Sequence, residues 1–282
     1  MTVKAGGGIL AGRIISGSWN DGHRKERVMK LSQNDIENCA ITALNSFMSA
    51  IPNKVEWVKP ILIDNFAIYT LGLSLDYTRL CDDGKMLGIT TYCDTKIELY
   101  RYLRKETISV PKNMLLINES LKPPSLLGGQ PDSERTRRRF TIAHECAHQI
   151  LYRMIPDEKR REYDLRYSAR VISIQEYKNM EDWLEWQSNI LAAALLMPKK
   201  YIELLLGNRR VTIYGKRLNR PDGLLVANMS NRLAVSRTAL LLRLRQLEYA
   251  KALPAEAYFD PTDIERDDEI YAVAEIGGGV CA

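Results

Sequence analysis

The sequence predicts an α+β fold in which a small mixed sheet precedes a chemistry-bearing helix and a helical segment follows. Three observations lead there. Between residues 61 and 120 the apolar residues recur in short, strand-like runs broken by turn residues. Two later stretches, "RRRFTIAHECAHQIL" and "NMEDWLEWQSNILAAALLMP", repeat at helical spacing. Beyond Pro198 the pattern stays helical, above all in "LLVANMSNRLAVSRTALLLRLRQLEYA".

Taken in order, residues 1–33 are rich in glycine and charge and read as a flexible tail. Their "GGGILAG" lacks the preceding strand and following Gly-Lys-Ser/Thr of a phosphate-binding loop. From Asn34, a polar start, helically spaced Ile36, Ala40, Ala43, Leu44, Phe47 and Met48, and Pro52 as a stop define a helix. The runs "FAIYTLGLSL", "KMLGITTY" and "TISVPKNMLLINESL" read as strands of one small sheet, with "SVPKNMLLINE" (109–119) a candidate edge for an extended peptide. A Pro/Gly/Ser loop leads to Asp132 or Ser133 as N-cap of a helix ending near Met154. A charged connection of roughly twenty residues, read as a solvated loop, joins it to a second helix that Pro198 stops.

These elements predict a main domain over residues 34–200, a helical segment over 201–250 packed on it, and an acidic, poorly ordered tail over 251–282. With 282 residues, 45% of them hydrophobic, the chain can build a sizeable core. It has no apolar run of about 18 residues and no signal-peptide pattern, which points to the cytosol and away from a membrane partner. Five scattered cysteines are too few and too irregular for a disulfide scaffold. A net charge of +5 permits an acidic or nucleic-acid partner without arguing for either.

His144 and His148 are two of only three histidines. On a helix they stand one turn apart, so both imidazoles project from the same face toward one point. Glu145 lies beside His144, close enough to reach a metal-bound water but poorly angled to ligate the same ion. H-E-x-x-H thus supplies two zinc ligands and a general base. Phe140, Ala143, Ala147, Ile150 and Met154 form a separate apolar stripe, which predicts a helix buried along one side.

The third ligand is expected to be a carboxylate. His23 falls in the tail, and the metzincin continuation would need Gly where Leu151 stands and His where Met154 stands. On the second helix, Glu181 occupies the first turn, where the helix dipole already favours an acid. Glu185 sits one turn deeper beside Ser188, Asn189 and Ala192, small enough to admit another helix, while Trp183, Trp186 and Ile190 are placed to anchor it. Glu185 is therefore the expected ligand. Three protein ligands leave a fourth position open, the mark of a catalytic zinc, with Glu145 moving the proton during hydrolysis and Tyr152 a candidate stabiliser of the oxyanion.

The two quoted stretches together resemble the ImmA/IrrE family of metallopeptidases, with motifs R-x-R-F-T-x-A-H-E-x-x-H and E-x-x-A-N-x-F-A-x-x-L-L-M-P. The resemblance covers roughly residues 60–250 and implies a zincin-like, gluzincin-type domain with His144, His148 and Glu185 as ligands and Glu145 as the catalytic residue. It implies Zn2+, with Mn2+ as the exchangeable alternative, and a cytosolic endopeptidase that cuts a helix-turn-helix repressor to relieve repression. Cys146, Ala147, Tyr152, Ser188 and Leu191 depart from the family pattern without touching a ligand. Cys146 is expected to point away from the metal and to pack. The alternative is a DNA-binding regulator, since "MSNRLAVSRTALLLRLRQL" resembles two helices of a helix-turn-helix. The leucines of its second helix (Leu240, Leu241, Leu242, Leu244, Leu247) favour packing over groove insertion.

Overall fold

The computed structural model describes residues 16–18, 27–29, 31–49, 58–124, 132–168, 171–173 and 182–260. The chain divides into two compact units, Met1–Pro198 and Lys199–Ala282. Among the described residues, no helix is long and apolar enough to cross a membrane.

In the first unit a short antiparallel pair, β1 (Ser16–Ser18) and β2 (Arg27–Met29), lies within the stretch expected to be a tail. Helix α1 (Gln33–Ser49) starts with a reciprocal cap: the Asp35 carboxylate accepts from Ser32 N at 3.0 Å, and Ser32 Oγ accepts from Asp35 N at 3.2 Å. Ile36, Ala40, Ala43, Leu44 and Phe47 are buried, as their spacing requires. Pro52, the expected stop, lies outside the described residues. Phe47 meets Phe66 edge to face, with ring centroids 5.7 Å apart.

Phe66 is not in a strand. It opens a π-helical turn (Phe66–Thr70) that continues the short helix α2 (Ile63–Asn65), and the first strand of the region begins only at Ser74. Short apolar runs do not distinguish a buried turn of helix from a strand, and here the neighbours chose the helix. Two three-stranded sheets follow where one was expected. In the first, β7 (Met114–Asn118) is central, parallel to β3 (Ser74–Thr78) and antiparallel to β4 (Gly88–Thr90). In the second, β5 (Thr95–Arg101) pairs with β6 (Arg104–Val110) in a hairpin and runs parallel to β8 (Val171–Ser173). A shared apolar cluster of Leu80, Met86, Ile89, Ile97, Leu99, Val110 and Leu116 joins strands of both. Within the candidate edge 109–119, Met114–Asn118 (β7) has a partner on each side and offers no free edge, whereas Ser109 and Val110 end β6, an outer strand of the second sheet.

Helix α3 (Asp132–Met154) carries the histidines. Asp132 and Ser133 lie inside its first turn rather than capping it. Arg138 clamps α3 to α2 with a two-pronged bond to Asp64, Nη1 to Oδ1 at 2.7 Å and Nη2 to Oδ2 at 3.1 Å, and also donates to Tyr77 Oη at 2.9 Å. From Thr141 to Tyr152 every residue except His144 is buried, so α3 is enclosed on both faces and not along one side only. The charged connection after it is no loop: Asp157–Ser168 forms helix α4. Helix α5 (Asp182–Leu196) lies against α3 and α1. Ser188 and Ala192 are buried on it, but Trp186 is 61% exposed and does not anchor it.

The second unit contains α6 (Lys199–Leu206), α7 (Arg220–Leu233), α8 (Arg237–Gln246) and a sheet in the order β10 (Arg217–Leu218), β9 (Val211–Tyr214), β11 (Ala250–Leu253). Asn219 caps α7, accepting from Asp222 N at 2.9 Å, and Ser236 caps α8, accepting from Ala239 N at 3.1 Å. Between them Ala234 adopts a left-handed backbone, φ 52°. Leu240 and Leu244 are fully buried, and so is Arg243, while Leu242 is 61% exposed. β11 lies at the start of the stretch expected to be a disordered tail; residues 261–282 lie outside the described residues.

The Arg138 clamp should be worth a measurable share of the first unit's stability. Arg138→Ala, which leaves Asp64 and Tyr77 without their shared donor, is expected to cost about 1–3 kcal/mol in urea unfolding.

Candidate metal centre

Three side chains from two helices converge. His144 Nε2 and His148 Nε2, one turn apart on α3, lie 3.0 Å from each other. Glu185, in the first turn of α5, places Oε2 3.2 Å from His144 Nε2 and Oε1 3.5 Å from His148 Nε2. Their ligand atoms all fall within 4.8 Å of one another, the one such group among the described residues. Glu181, the competing acid, lies outside the described residues.

The donor set fits a metal ion. Donors held tetrahedrally at about 2.0–2.1 Å from one ion stand about 3.3–3.4 Å apart, a separation that the observed 3.0, 3.2 and 3.5 Å bracket. Two imidazole nitrogens aimed at each other at 3.0 Å would also repel through their lone pairs unless a proton or a cation lay between them. A cation relieves that repulsion and neutralises Glu185 at once. Burial opposes ionisation of the Glu185 carboxyl, yet the adjoining His144 and His148 outweigh it and hold the group well below the usual carboxylate range. His148 is sealed in at 1% side-chain exposure, whereas His144 and Glu185 reach solvent at 13% and 33%. The centre is therefore closed at His148 and reaches solvent at Glu185 and His144.

Glu145 is buried against β4. A Cβ on Gly88 would stand 2.9 Å from Glu145 Oε1 and 2.8 Å from Thr141 Cγ2, so only glycine allows this approach without displacement. Gln149 locks the same strand segment to α3, donating from Nε2 to Thr90 Oγ1 at 2.8 Å and to the Thr91 carbonyl at 2.9 Å. Neither Gly88 nor Gln149 stood out in the sequence. The only local cue was that Gln149 follows His148 directly, and the partners are some sixty residues away.

Tyr152 is one turn past His148, but its ring stacks on Tyr92 with centroids 4.1 Å apart and its hydroxyl donates to Asp164 Oδ1 at 2.5 Å. Burial first, and then this bond, raise its phenol above the ordinary range. A phenol has one hydrogen, and here Asp164 holds it. Cys146 is fully buried, and burial pushes its thiol far up, as suits a packed neutral side chain.

Two tests follow from this geometry. His144→Ala, His148→Ala and Glu185→Ala should each abolish stoichiometric retention of a divalent ion after dialysis, measured by elemental analysis, and chelation should lower the thermal midpoint of the wild-type protein alone. Gly88→Ala should keep the ion but cost about 1–3 kcal/mol of stability by overpacking Thr141 and swinging Glu145 aside.

No curated protein matches the chain. Residues 130–245 match the family Peptidase_M78, described as the IrrE N-terminal-like domain, and this stretch contains all four residues of the centre, His144, Glu145, His148 and Glu185. Over residues 130–245 the chain is thus similar to the IrrE N-terminal-like domain of the Peptidase_M78 family.

Proposed function

We propose that this chain is a zinc-dependent endopeptidase, active in the cytoplasm, that cleaves a helix-turn-helix repressor and so relieves transcriptional repression. The observation that carries the reading is the convergence of His144, His148 and Glu185 within the stretch that matches the IrrE N-terminal-like domain, with Glu145 adjoining His144. Two imidazoles and a carboxylate suit zinc, with manganese the alternative. Such an ion supplies Lewis-acid polarisation of a carbonyl and acidifies a coordinated water.

The chain's own residues do the rest. His144 and His148 bind as neutral imidazoles, and α3, pinned by Arg138 at one end and by Gln149 further along, keeps their spacing. The Glu145 carboxylate accepts a proton from the attacking water and returns it to the leaving amine nitrogen. Its burial against the backbone of β4 limits the positions it can take. Tyr152, the sequence's candidate for steadying the oxyanion, would first have to release Asp164.

The repressor as substrate rests on the resemblance to the ImmA/IrrE family and on the matched domain. A DNA-binding role for α7 and α8 is less well supported. Arg243, on the second helix of the helix-turn-helix resemblance, is buried and donates to Gln246 at 3.1 Å, and Leu242 is exposed on α8 where a reading helix needs polar groups. Glu145→Gln is the deciding variant. It should retain the ion and the fold, yet cleave the repressor encoded nearest to this protein about 10²–10⁴-fold more slowly, as followed by mass spectrometry of the fragments. Unchanged turnover would remove Glu145 from the mechanism.

A further inference from the structure

Beyond the metal ligands, at the carboxyl end of α3, lies a cleft of about 610 Å³, a size that takes a small organic ligand. It is lined by residues 92–94, the turn between β6 and β7, the end of α3, and α4. Its cations, Lys112, Arg153, Arg160 and Arg161, face the carboxylates of Asp94, Asp157 and Asp164.

The carboxylates already have donors. Asp94 Oδ1 accepts from Lys112 N at 2.9 Å, Asp157 pairs with Arg160, and Asp164 Oδ1 accepts from Tyr152 Oη. Nor do they gather round a cation, since the one group of metal-ligand spacing among the described residues is His144, His148 and Glu185. The donors are in the opposite condition. Among the described residues the Lys112 ammonium, the Asn113 side-chain amide and the Arg161 guanidinium have no partner, and Arg153 commits only Nη2, to the Leu71 carbonyl at 2.8 Å.

Unpaired cations are commonplace on a protein surface. These differ in being presented to one cleft from a fixed frame. Asn113 has a left-handed backbone, φ 59°, which asparagine tolerates better than most residues. Its N–H donates to the Thr91 carbonyl at 2.8 Å, and its carbonyl accepts from Ser74 N at 2.9 Å. Thr91, fully buried, donates from Oγ1 to the Pro111 carbonyl at 2.6 Å. The turn that carries Lys112 and Asn113 is thereby pinned on both sides, while α3 and α4 bring Arg153 and Arg161 from elsewhere in the chain.

A ligand that answers donors from three elements needs acceptors on three sides. The three terminal oxygens of a phosphomonoester provide them, whereas one arginine fork satisfies a planar carboxylate. We infer that the cleft binds a small phosphomonoester, its phosphate held by Lys112, Asn113, Arg153 and Arg161 and its organic part lying along Tyr92 and Tyr152. The ligand bridges α3 and α4 beside the Tyr152–Asp164 bond. Such a site needs neither the metal nor peptide hydrolysis.

The test uses the full chain with inorganic phosphate and ribose 5-phosphate as probes. Phosphate also ligates zinc, so binding is measured by calorimetry on chelated and on metal-loaded protein. Both forms should bind both probes, with the same affinity for each. At about one hundred times the dissociation constant the thermal midpoint should rise by about 5–10 °C. Lys112→Ala/Arg161→Ala should weaken binding about tenfold or more. Asn113→Gly keeps the left-handed turn while removing the amide, and should weaken binding about threefold or more even if the double variant fails to fold. Arg104→Ala/Lys105→Ala, which removes two positive charges outside the cleft, should bind as the wild type does.

Binding that disappears on chelation places the phosphate on the metal and overturns the proposal. Undiminished affinity in both cleft variants overturns it as well, and so does equal loss in the Arg104/Lys105 control, which would reduce the effect to net charge. Tighter binding of succinate reassigns the cleft to dicarboxylates, and exclusion of ribose 5-phosphate while inorganic phosphate binds removes the monoester. Failure of either probe to bind at millimolar concentration leaves the cleft without this role.

Discussion

A polar helix buried on both faces needs neighbours for most of its polar groups, and several elements of the first unit supply them to α3. Its apolar residues, Ile142, Ala143, Cys146, Ala147 and Leu151, are sealed in the core. Its polar ones are not left to water. Gln149 is answered by β4 and the residue after it, Arg138 by Asp64 and Tyr77, and Tyr152 by Asp164. His144 and His148 are answered by Glu185, and a cation would complete that set.

The position of Glu185 follows from how closely two helices can approach. Ser188 and Ala192, fully buried on α5, leave little side chain between its axis and α3. Larger residues there would hold the helices apart and take the carboxylate out of reach of the imidazoles. The same economy of volume recurs at Gly88, where the β4 backbone comes directly against Thr141 and Glu145. The metal ligands and the candidate base are thus set by small residues on two elements packed against α3.

Away from the centre the sheets obey different priorities. The β5–β6 hairpin takes its register from seven paired positions, Thr95 to Arg101 against Val110 to Arg104. With the register so firmly determined, the turn carries Tyr102 and Leu103 in left-handed backbones against their propensity.

By itself the sequence determined what depends on the repeat of a single element. The 3.6-residue turn puts His144 and His148 on one face beside Glu145 wherever the helix lies, and it sets Glu185 beside small neighbours on α5. The buried stripe of α1 is equally local in origin. Only the tertiary structure decided which partners these elements meet. That Phe66 turns in a π-helix, that residues 157–168 form a helix, and that the strands make two sheets rather than one all depend on packing that short apolar or charged runs do not encode. Burial of α3 on both faces, the Gly88 contact, the Gln149 bonds and the commitment of Tyr152 to Asp164 arise likewise. Apart from the last, they join residues tens of positions apart, and no periodicity along the chain records such a meeting.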